Sequence, residues 1–180
     1  MPMAKDSLLI RPAKNEDWKA ILRIQREPSF VFYAGHSDRP SEQEVKARWK
    51  ARLAEPLAHT LVGELNGEVV GYVRLKRGEG KASHVGEISV VAVLIDLQRR
   101  GIGNRLMMAA LEMADTSLGL RRIRLTVHAD NHVALHLYER LGFEVEGREK
   151  EGVYKDGKYV DLLIMGRLRE NPTDIHPPAR

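Results

Sequence analysis

Between Val93 and Leu106 the sequence reads VLIDLQRRGIGNRL. A strand-like apolar run passes through Gln98, Arg99, Arg100, Gly101 and Gly103 and turns straight into a helical pattern. The first amides of a helix have no internal acceptor and stand at the positive end of its dipole. Glycines let a ligand reach such a main chain with no β-carbon in the way. Arg99 and Arg100, with Arg105 close by in sequence, add positive charge. Together these residues suit a diphosphate; the plainer alternative is an arginine-rich turn with a glycine for geometry. GIGNRL lacks the third glycine of a dinucleotide fingerprint, and no acid ends a strand at the ribose distance. A P-loop GK[ST] is missing too, and GEGK at 78–81 lacks both the leading glycine and the Ser/Thr.

A second constellation lies downstream. Asn131, Ala134 and Tyr138 stand at i, i+3 and i+7, which places all three on one helix face. A phenol titrates near 10 and keeps its proton at neutral pH, so Tyr138 is equipped to act as an acid. A packed tyrosine satisfied by a carbonyl is the competing account. Glu87 interrupts the apolar run Val85–Val93 and is the first candidate base, with His84 second. A glutamate at a strand end facing solvent explains the same residue equally well. His128, His132 and His136 recur every four residues, but the first belongs to a strand pattern and the others to a helix. They form no single stripe, and no metal site is expected. Phe30, Phe32 and Tyr33, with His36, either form an acceptor pocket or close an edge of the core.

The elements that must carry these residues are legible in outline. SLLIRPA (7–13) reads as a strand. Asn15 is a plausible cap for a helix bearing Trp18, Ile21, Leu22 and Gln25, which Pro28 ends. The segment 29–40 has no clean period and reads as a loop. Ser41 with Glu44 forms a capping box for a helix to about residue 55. Asn66-Gly67 and Asp156-Gly157 each mark a type I′ hairpin between β-rich runs. Val85–Val93 shows little polar relief and reads as a strand buried on both faces. A helix over 101–118, with Met107, Ala110, Leu111, Ala114 and Leu118 as its apolar stripe, leads to the strand RIRLTV. The next helix is capped by Asn131 and stopped by Gly142. The order β α α β β β α β α β β, without repeats or linkers, predicts one mixed α/β domain over 1–168 and a flexible tail at 169–180. The strands flanking the 101–118 helix should run parallel.

The chain has 180 residues, 43% hydrophobic and 30% charged, ordinary for a globular protein. A net charge of +4 comes without a lysine-rich run, zinc finger or aromatic RNA-binding signature, so a nucleic-acid partner is not expected. With no membrane-length apolar run and no signal-peptide pattern, a cytoplasmic protein is expected. The absence of cysteine removes disulfides, thiolate metal ligands and a cysteine-linked acyl intermediate.

Gln98-x-x-Gly101-x-Gly103 resembles, at every fixed position, the pyrophosphate loop of the GNAT superfamily of N-acetyltransferases. NHVALHLYERLGF resembles that family's N-x-x-A-x-x-x-Y-x-x-x-G-F segment, with Asn131, Ala134, Tyr138, Gly142 and Phe143 in register. SHVGEI, VHADN and GFEVEGREKEGVYKDGKYVDLLIM look like the bacterial branch that acetylates free L-amino acids and related small amines. The resemblance implies a mixed, mostly antiparallel twisted sheet with helices on both faces, and acetyl-CoA as co-substrate. It implies cofactor contacts from Val91, Ala92, Val93, Gln98, Arg99, Arg100, Gly101, Ile102, Gly103, Asn104, Asn131, Ala134 and Tyr138. Main-chain groups of Val91 and Val93 would pair with the pantetheine arm, and one of these amides would hold the thioester oxygen. Tyr138 would then protonate the departing thiolate while Glu87 takes the amine's proton. Phe32, Tyr33 and His36 would meet the acceptor.

The expected reaction is direct attack by a small amine, foremost an apolar L-amino acid, in a ternary complex. A protein N-terminus, an amino sugar or a polyamine are alternative acceptors, and a non-catalytic acyl-CoA-binding module is the alternative class. A polyamine enzyme calls for an acidic acceptor loop, yet 29–40 holds one acid, Asp38, against Arg39. The expected partner is a small-molecule amine, with a homodimer as the candidate assembly.

Overall fold

A computed structural model describes residues 7–30 and 40–169. Its elements in chain order are β1 (Leu8–Pro12), α1 (Trp18–Gln25), α2 (Glu42–Leu53), β2 (Ala58–Leu65), β3 (Glu68–Arg77), β4 (Val85–Val93), α3 (Ile102–Glu112), β5 (Arg122–His128), α4 (His132–Arg140), β6 (Glu144–Lys155) and β7 (Lys158–Leu168). Seven strands join one mixed, mostly antiparallel sheet in the order β1-β2-β3-β4-β5-β7-β6. As the crossover rule predicts, β4 and β5 are parallel; their ladder comprises Val85↔Arg122, Gly86↔Ile123 and Glu87↔Arg124. Both hairpin turns take the left-handed conformation that Asn-Gly and Asp-Gly favour, with φ of 52° and 87° at Asn66 and Gly67, and 47° and 73° at Asp156 and Gly157.

The chain divides into two compact units, residues 1–74 with 90–110 and residues 75–89 with 111–180. In the first, α1 buries Ile21, Ile24 and Gln25 and α2 buries Val45 and Trp49. The Trp49 indole N–H donates to the Lys14 carbonyl at 2.9 Å, and its ring meets the fully buried Tyr72 edge-on at 6.0 Å. Ser41 and Glu44 form the predicted capping box. Leu106 and Met107 of α3 are completely buried and fasten that helix to its unit. In the second unit Ile123, Leu125, Val127, Phe143 and Met165 form the core. Each large apolar side chain so enclosed contributes roughly 1.5–3 kcal/mol.

Four expectations are corrected. Asn15 is not the cap of the first helix. A 3-10 turn, Asn15–Asp17, precedes α1, and the Asp17 carboxylate accepts from the Lys14 N–H at 2.7 Å while Arg11 grips it from the other side at 2.9 Å. Desolvation is the largest single influence and opposes that charge, but the hydrogen bonds from Arg11 and the Lys14 N–H, with the positive charges beside them, together outweigh it and hold Asp17 below the usual carboxylate range. Pro28 does not open a loop directly: residues 28–30 are helical, in keeping with proline's fit to a first helical turn. The strand β4 is not buried on both faces. Gly86, Ile88 and Ala92 are buried, whereas Glu87, Ser89, Val91 and Val93 alternate with them on a more open face. Finally, α3 does not run on as regular α-helix to residue 118. The Thr116 hydroxyl donates to the Glu112 carbonyl at 2.7 Å, competing with the helical ladder, and Met113–Ser117 widens into a π turn.

Gly71 on β3 is a constraint of close approach. A β-carbon there would stand 2.7 Å from the carbonyl oxygen of Ala92 on β4. Gly71→Ala is expected to destabilise the protein by about 1–3 kcal/mol, read as a lower urea midpoint at unchanged slope.

Candidate active site

The loop at 98–103, the candidate diphosphate site, lies wholly within the first unit. The Leu94 N–H donates to the Val70 carbonyl at 2.9 Å, continuing the strand's bonding one residue past β4. The next donor, Ile95 N–H, is taken by both carboxylate oxygens of Glu27, at 2.9 and 3.1 Å. A 3-10 turn, Ile95–Leu97, follows. The Gln98 side-chain amide reaches back to the Val93 carbonyl at 3.1 Å, tying the loop to the end of β4. Arg99 and Gly101 take positive φ of 61° and 80°. A β-carbon on Gly101 would meet nothing within 4 Å, so packing does not explain the glycine. The left-handed backbone does, and the space beside it is open to a ligand.

The Arg105 N–H donates to the Gly101 carbonyl at 3.0 Å, and this is the first bond of α3. The amides of Ile102, Gly103 and Asn104 therefore precede the helical ladder and lack an internal acceptor. Ile102 is buried and anchors the turn, while Gln98, Arg99, Arg100 and Gly101 are exposed. The side-chain amide of Asn104 is turned along the helix toward the Met108 sulfur, at 3.3 Å. The Arg105 guanidinium donates to the Leu8 carbonyl at 2.8 Å, so this charged side chain also braces β1.

The second unit holds the tyrosine helix. The Asn131 side chain accepts from the Ala134 N–H at 3.2 Å and caps α4, as predicted. The far end closes with a Schellman motif. Phe143 N–H donates to the Tyr138 carbonyl and Gly142 N–H to the Glu139 carbonyl, both at 3.0 Å, with Gly142 at φ 84°. The hydrophobic contact that accompanies this motif is the Tyr138–Phe143 ring pair, 6.0 Å between centroids and tilted by 58°. Tyr138 is 9% exposed, and its hydroxyl has no hydrogen-bond partner among the described residues. Burial pushes the phenol up to about 12.

Glu87, also in this unit, stands directly opposite Arg124 and accepts from that guanidinium at 2.8 and 3.0 Å through one oxygen. Its side chain is 46% exposed, so it sits in an open cross-strand ion pair and not in an apolar enclosure. His84, His132 and His136 are exposed, and His128 is buried on β5, where desolvation and then Lys155 lower its pKa. No group of three or more potential metal ligands occurs among the described residues. Phe32, Tyr33 and His36 lie outside the described residues. Sequence reasoning missed Glu27, whose partner is 68 positions away and which belongs to no local pattern.

The acetyltransferase (GNAT) family model matches residues 18–143, a span that includes both the loop and the tyrosine helix. The chain belongs to the GNAT family. As a GNAT protein it is an acetyl-CoA-dependent N-acetyltransferase. It is 33% identical over 164 residues to the L-amino acid N-acetyltransferase AaaT of Escherichia coli K12, covering 90% of this chain and 98% of that protein. The spermidine N(1)-acetyltransferase of the same organism is 26% identical over 167 residues, covering 92% and 87%. Among solved GNAT structures, the Vibrio cholerae spermidine N-acetyltransferase in complex with CoA and spermine superimposes with a TM-score of 0.79 at 25% identity, covering 89% and 95%. The yncA protein of Salmonella typhimurium, solved with acetyl-CoA, shares the fold at a TM-score of 0.81, covering 97% and 100%. The loop fits such a co-substrate: helix-start amides without internal partners, two exposed arginines and open space beside Gly101 are what a diphosphate requires.

Gly101→Val forces a branched side chain into the left-handed region without a packing clash. Its expected effects are a loss of global stability of about 1–2 kcal/mol and a rise of at least about tenfold in the Kd for CoA. Calorimetric titration beside thermal unfolding separates the two.

Proposed function

We propose that the protein acetylates the α-amine of a free L-amino acid, by direct attack of the amine on acetyl-CoA in a ternary complex. The co-substrate supplies the acetyl group as a thioester. In this reading the amides of Ile102, Gly103 and Asn104, with Arg99, Arg100 and Gln98, bind its diphosphate. Main-chain groups of Val91, Ala92 and Val93 receive the pantetheine arm, one amide holding the thioester oxygen as charge develops on it. Asn131 and Ala134 contribute to the same cofactor face. Tyr138 gives its proton to the sulfur that leaves, and Glu87, directly or through water, takes the proton of the incoming ammonium. Phe32, Tyr33 and His36 are assigned to the acceptor.

The observation that carries the chemistry is Tyr138, a buried phenol with no described partner. The ring is held by packing, while the hydroxyl is not among the fully buried polar atoms that lack a partner, so it reaches the surface and is available to a ligand. Burial keeps it protonated through neutral pH, the state an acid needs. The absence of any cysteine, and of a G-x-S-x-G elbow, is in keeping with direct transfer. The choice of acceptor rests on likeness to the amino acid enzyme along nearly the whole of both chains.

Tyr138→Phe keeps the packing and removes the proton. It is expected to lower kcat by roughly 10²–10⁴-fold, with a smaller change in KM for acetyl-CoA. Because the acid form persists until pH rises through about 12, a fall in wild-type kcat at lower alkaline pH would not be the titration of Tyr138. An unchanged kcat in the variant would make Tyr138 a packing residue only.

The acceptor test is a comparison of kcat/KM at pH 7 for methionine or phenylalanine, spermidine, and a lysine peptide blocked at its N-terminus. The α-amine of a free amino acid, beside its own carboxylate, titrates above the chain-terminal value near 8 but below a lysine amine near 10.4, so a larger fraction of it is neutral at pH 7. The amino acids are expected to lead. A higher value for spermidine or the blocked peptide would overturn the acceptor assignment and leave the acetyl-CoA chemistry standing.

A further inference from the structure

We infer that Glu27 is a positioning residue for the diphosphate loop, an inference that rests on the cofactor reading of that loop. Past Leu94 the chain turns away from β3, and the first amide to leave the strand, Ile95 N–H, is the point at which the loop's path is set. Both oxygens of Glu27 converge on it, at 2.9 and 3.1 Å. A hydrogen bond to a carboxylate is shorter and stronger than one between neutral groups, so it can define the path of a short turn. Two bonds then hold that turn, Leu97 N–H to Leu94 carbonyl at 2.9 Å and Gln98 N–H to Ile95 carbonyl at 3.2 Å, and they deliver the chain to Arg99. Without Glu27, the Gln98–Val93 contact would be the side-chain bond left to tie this end of the loop beside those two main-chain bonds.

Glu27 stands between the end of α1 and the helical residues 28–30, in an open groove that Lys19, Arg23 and Arg26 also line. The carboxylate thus links the first helix of the chain to the loop that meets the co-substrate.

The test uses the full-length enzyme and two variants that break the same bond from opposite ends. Glu27→Ala removes the acceptor. Ile95→Pro removes the donor at the first position of a helical turn, where proline is tolerated. The probes are CoA, by calorimetry, and two acetyl donors at fixed acceptor: acetyl-CoA and S-acetyl-pantetheine, which has no diphosphate. Both variants should raise the Kd for CoA about tenfold or more and lower kcat/KM for acetyl-CoA in step, with S-acetyl-pantetheine changed by less than about threefold. Glu27→Gln, whose amide oxygen can still accept from Ile95, should recover most of the loss. An unchanged Kd for CoA, equal losses with both donors, or an effect confined to the KM of the acceptor would overturn the inference. Gly101→Val run in parallel separates the two ideas. If it weakens CoA binding and the Glu27 and Ile95 variants do not, only Glu27's role falls; if Gly101→Val also leaves binding unchanged, the loop reading falls with it.

Discussion

An α-helix offers unpaired N–H groups only in its first turn, and the placement of one such turn is the constraint on which the proposed chemistry depends. At the start of α3 the chain must leave β4, pass through two left-handed residues, Arg99 and Gly101, and begin a helix whose first bond is Arg105 to Gly101. Three consecutive amides then precede the ladder. The buried Ile102, Leu106 and Met107 anchor the helix, so the amides are presented from a packed element. Preorganised donors of this kind lose little freedom when a charged ligand arrives, which is where their advantage over mobile side chains lies.

The tyrosine helix solves a related problem at its other end. A side chain that is to deliver a proton needs a fixed ring and a free hydroxyl, two demands that conflict in a packed core. Here the ring is fixed by the helix terminus. Gly142 permits the left-handed reversal, the reversal brings Phe143 back, and Phe143 packs on Tyr138. The spacing between tyrosine and the Gly-Phe pair is therefore the spacing of a Schellman stop, in which the third residue from the helix end meets the second residue beyond it. Asn131 secures the opposite end through Ala134. A signature read first as chemistry is also two helix caps with a phenol held between them.

What the sequence discloses and what it hides divides along the range of the interactions. The Asn-Gly and Asp-Gly turns, the Ser41–Glu44 box, the bounds of β4 and both ends of α4 follow from residues within a few positions of each other, and each was legible. The misreadings come from partners far apart in the chain. Asn15 opens a 3-10 turn instead of capping the helix, and that turn is closed by Asp17, whose carboxylate accepts from the Lys14 N–H and is held by Arg11 of β1. Arg105, read only for its charge, also bonds a carbonyl 97 positions away. The strand Val85–Val93 read as buried on both faces because valines on each hide an alternation, and that alternation sets Glu87 opposite Arg124 on the more open face. The π turn at Met113–Ser117 arises from a Thr116 hydroxyl bond that no periodicity announces. Of the cofactor loop, the glycines and arginines were visible and the tether at Glu27 was not.

That tether and its counterpart, the grip of Arg105 on the Leu8 carbonyl, bear on how portable the loop is. Its glycine signature occupies a handful of consecutive residues and looks like a cassette. Yet it is held before its start by a side chain from residue 27 and beyond its end by a carbonyl from residue 8. A graft of Val93–Leu106 onto another strand–helix junction would carry the glycines and arginines but leave both moorings behind. Circular permutants that open the chain between β1 and α1 would keep both, since each mooring needs proximity and not chain continuity. The unit that recombination must move intact is therefore β1, α1 and the β4–α3 junction together, three stretches that share a function without being adjacent in the chain.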